Sequence, residues 1–155
     1  MELDTKDIAI LEHLQLDGRL TNADLAERIH LSPSACLRRV RMLEDNGVID
    51  GYVALINQTV IGKPSNVFIE VSLNSQSEQS LNAFEAAVAA CPEVMECYLM
   101  AGDADYLLRV VARDPADYER IHKTHLSRLP NVSRIHSSFA LRTICKKTAL
   151  EIDGA

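Results

Sequence analysis

The 155-residue chain predicts an α+β fold in two parts, a three-helix N-terminal domain followed by a sheet domain in the order strand, helix, strand, strand, helix, strand. Three observations carry this. Residues 1–50 hold apolar patterns at helical spacing with capping residues in front of them. From Asn66 onward, short β-rich runs alternate with helical patterns, and between the halves "NQTVIGKPS" gathers Asn, Gly, Pro and Ser. The ranges are therefore 1–50 for the helical domain, 51–65 for a strand and linker, and 66–155 for the sheet domain.

In order, Ile8, Leu11 and Leu14 mark one face of a first helix, which "DGRL" ends. Thr21 followed by Asp24 has capping-box spacing at the start of a second helix, whose Leu25 and Ile29 face inward. Ser32 caps a third helix with Pro33 at its first position, where the missing N–H is no loss, and Gly47 stops it. "VIDGYVALI" is β-rich and predicts a small strand pairing before the linker. "VFIEVSL" reads as a strand, and Leu81, Phe84, Val88 and Cys91 as a helix face. "VMECYLM" and "YLLRVVA" flank the turn "AGDAD". "DPADYERIHKTHLSRL" is a helix capped by Asp114 with Pro115 in its first turn, and "VSRIHSSFALRTI" closes as a strand. This order is that of the ferredoxin-like split βαββαβ unit.

Composition narrows the function classes. With 47% hydrophobic and 25% charged residues the chain is ordinary globular material, and no apolar run approaches the ~18–20 residues of a membrane span. The acidic start "MELDTKDIAI" lacks the features of a secretory signal, so the expected location is the cytosol. Cys36, Cys91, Cys97 and Cys145 are scattered without a C-x-x-C pair, which predicts reduced, mostly buried thiols and neither a zinc site nor a disulfide framework. No cofactor motif occurs.

The third helix stands out. The chain carries a net charge of −6, and residues 1–50 hold six basic against ten acidic residues, yet Pro33 to Leu43 contains three arginines and no acid. On a helical wheel Cys36, Leu37, Val40 and Leu43 gather on the core side, Arg38 falls opposite with Ser34, Ala35 and Met42, and Arg39 and Arg41 flank the edges. Two short helices followed by such a face are what a helix-turn-helix reader of double-stranded DNA requires. Small residues allow close approach, arginine forks onto guanine, and flanking arginines hold phosphates. Arginines alone more often mark a solvated helix face; the caps and the preceding helices favour docking. Screening over roughly 8–10 Å leaves a local cluster effective against phosphates despite distant acids.

In "GDADY", Asp103 and Asp105 at a turn fit a catalytic carboxylate pair, a metal site or a polar ligand clamp, and spacing alone does not choose. The enzyme alternative needs a nucleophile, base or cofactor constellation near these acids, and none is evident. A free amino acid needs donors for its carboxylate, an acceptor for its ammonium and an apolar slot, and Gly102 allows close backbone approach. His122 and His125 share a helix face but lack completing metal ligands. Ile135, Phe139 and Leu141 on the last strand predict a partly apolar open sheet face suited to dimerisation.

Four segments, "LSPSACLRRVRMLE", "IDGYVALIN", "GDADYLLRV" and "LSRLPNV", in this order and spacing, resemble the Lrp/AsnC (leucine-responsive regulatory protein/asparagine-operon regulator) family over nearly the whole chain. The resemblance implies an amino-acid-responsive transcription regulator with a winged-helix-like helix-turn-helix domain and a ferredoxin-like domain that oligomerises and binds effector. Carried over by position, the DNA-binding residues are Asn22, Ser32, Ser34, Ala35, Arg38, Arg39 and Arg41. The effector residues are Met100, Ala101, Gly102, Asp103, Ala104, Asp105 and Tyr106, with Ser137 and Ser138 on the last strand. The implied effector is leucine, methionine or a similar small amino acid, and the implied assembly is a homodimer gathered into a larger ring, often an octamer; a DNA-binding oligomer without any ligand is the remaining alternative. His30 departs from the glycine common in the family's turn, so a positive φ there is costlier.

Overall fold

Capping side chains open every long helix of the chain. The computed structural model describes residues 2–152; Met1 and residues 153–155, at the ends of the assigned ranges, lie outside them. Helix α1 spans Thr5–Leu16, α2 Asn22–Arg28 and α3 Pro33–Asp45. Asp4 and Asp7 form a reciprocal capping box at α1, Thr21 Oγ1 accepts the Asp24 amide at α2, and Ser32 Oγ accepts the Ala35 amide at α3 with Pro33 in its first turn. Between α2 and α3 the backbone of His30 turns through φ +54°, a left-handed conformation that histidine tolerates better than most side chains. Gly47, at φ +68°, ends α3, where a side chain would be strained.

Two compact units result, one comprising the chain up to Leu55 together with the segment from Ile144, the other running from Ile56 to Thr143. The first buries Ile10, Leu11, Leu25, Ala26, Ile29, Cys36 and Leu43. On α1 the inward position is Ile10 rather than the expected Ile8, which is half-buried. The segment from Ile144, expected within the 66–155 sheet domain, makes its contacts here with the helical unit. Both backbone groups of Leu150 bond the Gln15 side-chain amide, at 2.6 and 3.0 Å, and Ile152 packs on the helical core. Nor does "VIDGYVALI" form a strand; Tyr52, Val53, Leu55 and Ile56 are exposed, and the segment pairs with no strand among the described residues.

In the second unit β1 (Ser65–Leu73), β2 (Val94–Leu99), β3 (Tyr106–Ala112) and β4 (Val132–Phe139) form an antiparallel sheet in the order β2-β3-β1-β4, with α4 (Glu78–Ala89) and α5 (Pro115–Thr124) supplying its cover. Alternation along β1 and β3 sends Val67, Ile69, Val71, Leu108 and Val110 into one core with Phe84, Val88 and Ile121. Register corrects the expectation for β4. Ile135 pairs with Val71 and Phe139 with Val67, so both lie on the core side, and Phe139 meets Tyr118 of α5 edge-on at 5.1 Å. Leu141 lies beyond the strand. The open face instead carries Arg134, His136 and Ser138 beside Ser72, Glu70 and Phe68, with Arg109 bonded to Glu96 (2.7 Å) and Asn66 (2.9 Å).

All four cysteines are free: Cys36 and Cys91 are buried, Cys97 half-buried and Cys145 exposed, and burial followed by the Glu85 charge pushes the Cys97 thiol up to about 11. Paired carboxylates give each unit an acid limb. Asp4 is held below its ordinary value by the Asp7 amide and by Arg39, and Asp117 by the Arg113 amide and by Arg120. A depressed folded pKa contributes stability that is present above the unfolded value and is lost as pH falls through the folded one. The expected result is a melting temperature, followed by circular dichroism, that holds from pH 7 to about 5 and falls below about pH 4; a flat profile down to pH 2 would contradict these pairings.

Candidate nucleic-acid interface and effector cavity

On α3 the structure divides the three arginines. Arg38 and Arg41 are exposed, and neither makes a hydrogen bond or ion pair among the described residues. Arg39 turns inward. Its Nη1 lies 2.7 Å from Asp4 Oδ2 and 2.8 Å from Asp7 Oδ1, and Asp7 is only 3% exposed. These carboxylates raise the Arg39 pKa further, Asp7 contributing most. The residue expected at the DNA is thus a brace between α3 and the start of α1. Leu37 moves the other way: the wheel places it in the core, yet it is 39% exposed and borders a shallow hollow with Ser34, Arg38, Arg41 and Met42. The exchange has a simple cause. The acids that cap α1 need a cation, and Arg39 is the side chain of α3 that reaches them.

The remaining expected DNA-facing residues split similarly. Ser34 is exposed and Ala35 half-buried on the outward side. Ser32 is exposed, but its hydroxyl is engaged as the cap of α3, 3.2 Å from both the Ala35 amide and Ser34 Oγ. Asn22 is half-buried, and its Nδ2 donates to the Pro33 carbonyl at 2.8 Å, joining the first turns of α2 and α3. Ser34, Leu37, Arg38 and Arg41 therefore form the accessible face, and Asn22, Ser32 and Arg39 set its position.

A second candidate site lies in the sheet unit at the β2–β3 turn. A cavity of about 220 Å³ is lined by Met100 to Ala104, Tyr106, Leu107 and Glu70. Asp105 is absent from that lining. Its Oδ2 accepts the Leu73 amide at 2.7 Å, its Oδ1 accepts the Gln76 side-chain amide at 2.6 Å, and its own amide and carbonyl bond Val71 and Met100. It staples the turn to the end of β1. Tyr106 is a core residue, 1% exposed, stacked on Phe84 with centroids 4.5 Å apart and donating to Glu85 at 2.7 Å. Ser137 and Ser138 are not brought to the cavity within one chain: Ser137 bonds the Tyr118 hydroxyl, and both register with β1 at Ile69 and Phe68 rather than at the turn.

Glu70, which the sequence reading did not select, is the acid that register adds. It faces out of β1 opposite Leu107 of β3, where the alternation of "FIEVSL" could have placed it but not its neighbour across the sheet. His125 sits 3.3 Å from Glu93 and His122 stands edge-on to Tyr118, and among the described residues no group of three His, Cys, Asp or Glu side chains is placed to hold a metal ion. No helix among them is long and apolar enough to cross a membrane.

Comparison with known proteins matches both units. Residues 3–50 match a winged helix-turn-helix DNA-binding family, and residues 66–150 match the Lrp/AsnC ligand binding domain. The chain is 40% identical over 152 residues to the leucine-responsive regulatory protein of Rhizobium meliloti, covering 98% of this chain and 97% of that protein. It is 42% identical over 148 residues to the Bkd operon transcriptional regulator of Pseudomonas aeruginosa, covering 96% and 97%. Among solved structures, the transcriptional regulator NMB0573 from Neisseria meningitidis in complex with L-methionine superposes with a TM-score of 0.90 at 38% identity, covering 96% of each chain. Reader helix, effector domain and full-length similarity agree, and the chain belongs to the Lrp/AsnC family of transcription regulators.

Proposed function

We propose that this regulator works in the cytosol by laying α3 in the major groove of operator DNA, and that a free aliphatic or sulfur-containing amino acid, leucine or methionine, is its effector. The observation that carries the reading is the pair of guanidinium groups, Arg38 and Arg41, without a partner among the described residues, beside Ser34 on the exposed face of a capped third helix. Arg38, Ser34 and Ala35 lie nearest the base edges, and Arg41 neutralises phosphate. Asn22, Ser32 and Arg39 serve binding by holding α3 in place. A homodimer, assembled further into an octamer, presents two such helices to a pseudo-palindromic site.

The effector occupies the cavity at the β2–β3 turn, with Met100, Ala101, Gly102, Asp103, Ala104 and Tyr106 around it; Ser137 and Ser138 enter only where a second subunit contributes its sheet. Methionine is supported by the N. meningitidis regulator, solved with L-methionine. Binding rather than catalysis is favoured because both Asp105 oxygens are spent on the fold, so the Asp103/Asp105 pair is not available for acid–base work.

The test is fluorescence anisotropy of the purified protein on labelled DNA from upstream of its own gene, against a scrambled duplex, with and without L-leucine and L-methionine. The expected result is binding that weakens steeply with salt, prefers the native fragment, and shifts with one of the two amino acids. Equal binding to both duplexes under all conditions would overturn the proposal.

A further inference from the structure

A zwitterionic amino acid presents two opposite charges, and each needs its own complement in the protein. Within the effector reading, the obvious acceptor for the ammonium is Asp105, at the centre of the turn motif. Geometry removes it. Both carboxylate oxygens are already bonded, to the Leu73 amide and the Gln76 side chain, and turning either toward a ligand would release the end of β1.

Three other sets of groups at the cavity are uncommitted, and one of them, the exposed Asp103 carboxylate, sits on the turn among the very amides that would take the ligand's own carboxylate. Among the described residues, the amides of Ala101, Gly102, Asp103 and Ala104 enter no hydrogen bond, and all four residues line the cavity, so backbone donors for an anion are available on this turn. A Cβ built on Gly102 would meet nothing within 4 Å, so open space lies over this backbone. The carboxylate of Glu70 also lines the cavity and makes no hydrogen bond or ion pair among the described residues. Met100, Ala104 and Leu107 add apolar lining to the same cavity. A volume of about 220 Å³ lies below the roughly 300 Å³ at which drug-sized pockets begin, which suits a single small amino acid.

We infer that Glu70, and not Asp105, accepts the ammonium of the bound amino acid, while the amides of residues 101–104 receive its carboxylate. The assignment rests on the effector reading above and adds what that reading lacks, the group that makes the site select free α-amino acids over plain carboxylic acids. Glu70 stands on β1 between Leu107 and His136, so its side chain is set by the sheet and not by the turn. His136 is the titratable neighbour facing it from β4.

The experiment is calorimetric titration of the full-length protein with L-methionine and with 4-(methylthio)butanoic acid, the same molecule without its amino group. The wild type is expected to prefer methionine by about 30-fold, the range of a charge-assisted bond made in a partly enclosed site. In Glu70→Gln, an exposed and nearly isosteric change with circular dichroism as the folding control, that preference should fall below about threefold while the affinity for the acid stays within about threefold of wild type. A merely structural role for Glu70 would weaken both ligands together and leave the preference standing. Retention of the preference in Glu70→Gln would overturn the assignment and leave the effector cavity intact. Absence of heat from the wild type with methionine and with each of the other common amino acids would overturn the effector reading itself, and the Glu70 assignment with it.

Discussion

Arg38→Ala is expected to lower affinity for operator DNA by roughly 5- to 150-fold, the about 1–3 kcal/mol of a bidentate base contact, with oligomer and melting temperature unchanged. The size follows from the site's composition. Arg38 and Arg41 are the arginines of α3 that carry no partner among the described residues, so each can meet DNA without first breaking one of those contacts. The two differ in kind. Loss of Arg38 should relax discrimination between operator and scrambled duplex, whereas Arg41→Ala should weaken both alike and reduce the slope of log K against log salt by about 1. Anisotropy titrations at several salt concentrations separate these outcomes. An Arg38→Ala protein that loses its assembly yet binds DNA normally per dimer would remove Arg38 from the reading face.

The opposite pattern is expected of Arg39→Ala. Its guanidinium neutralises Asp7, which is 3% exposed, and Asp4 at the N-terminus of α1. Removing it leaves a carboxylate buried without a counter-charge, a loss that in a partly solvated pair costs about 2–3 kcal/mol. For a unit of this size that lowers the melting temperature of the helical domain by roughly 10–20 °C. At low temperature, where the domain stays folded, operator affinity should remain within a few-fold of wild type. Should the variant melt like the wild type and lose DNA binding instead, Arg39 is a DNA contact, as its place in the motif alone suggests. Adjacent residues of one helix thus separate by consequence, Arg38 through function and Arg39 through stability.

Local rules account for what was legible in the sequence. Thr21, Ser32 and Asp114 cap the helices they were expected to cap, because a side-chain oxygen before an apolar periodic run satisfies free amides wherever it occurs. The strand order of the second unit follows from alternation and element order, and the turn carrying "GDAD" is where those rules put it. Misplacements arise where a residue's role depends on what lies across from it. The wheel for α3 treats Leu37 as core and Arg39 as an edge because it knows hydrophobicity and not that two acids from α1 stand over the inward side. Ile135 and Phe139 read as an apolar open face until register with Val71 and Val67 turns them to the core.

By itself the amino-acid order determined the two-part architecture, the reader helix with its basic face and the segment that forms the effector turn, since capping, periodicity and turn chemistry act between residues a few positions apart. The tertiary structure decided which members of those segments are free to act. It tied Arg39 to Asp4 and Asp7, spent Asp105 on Leu73 and Gln76, and set Glu70 of β1 beside a turn more than thirty residues away. A charge is available to a ligand only if the fold has not already used it, and that depends on contacts between residues distant in the chain.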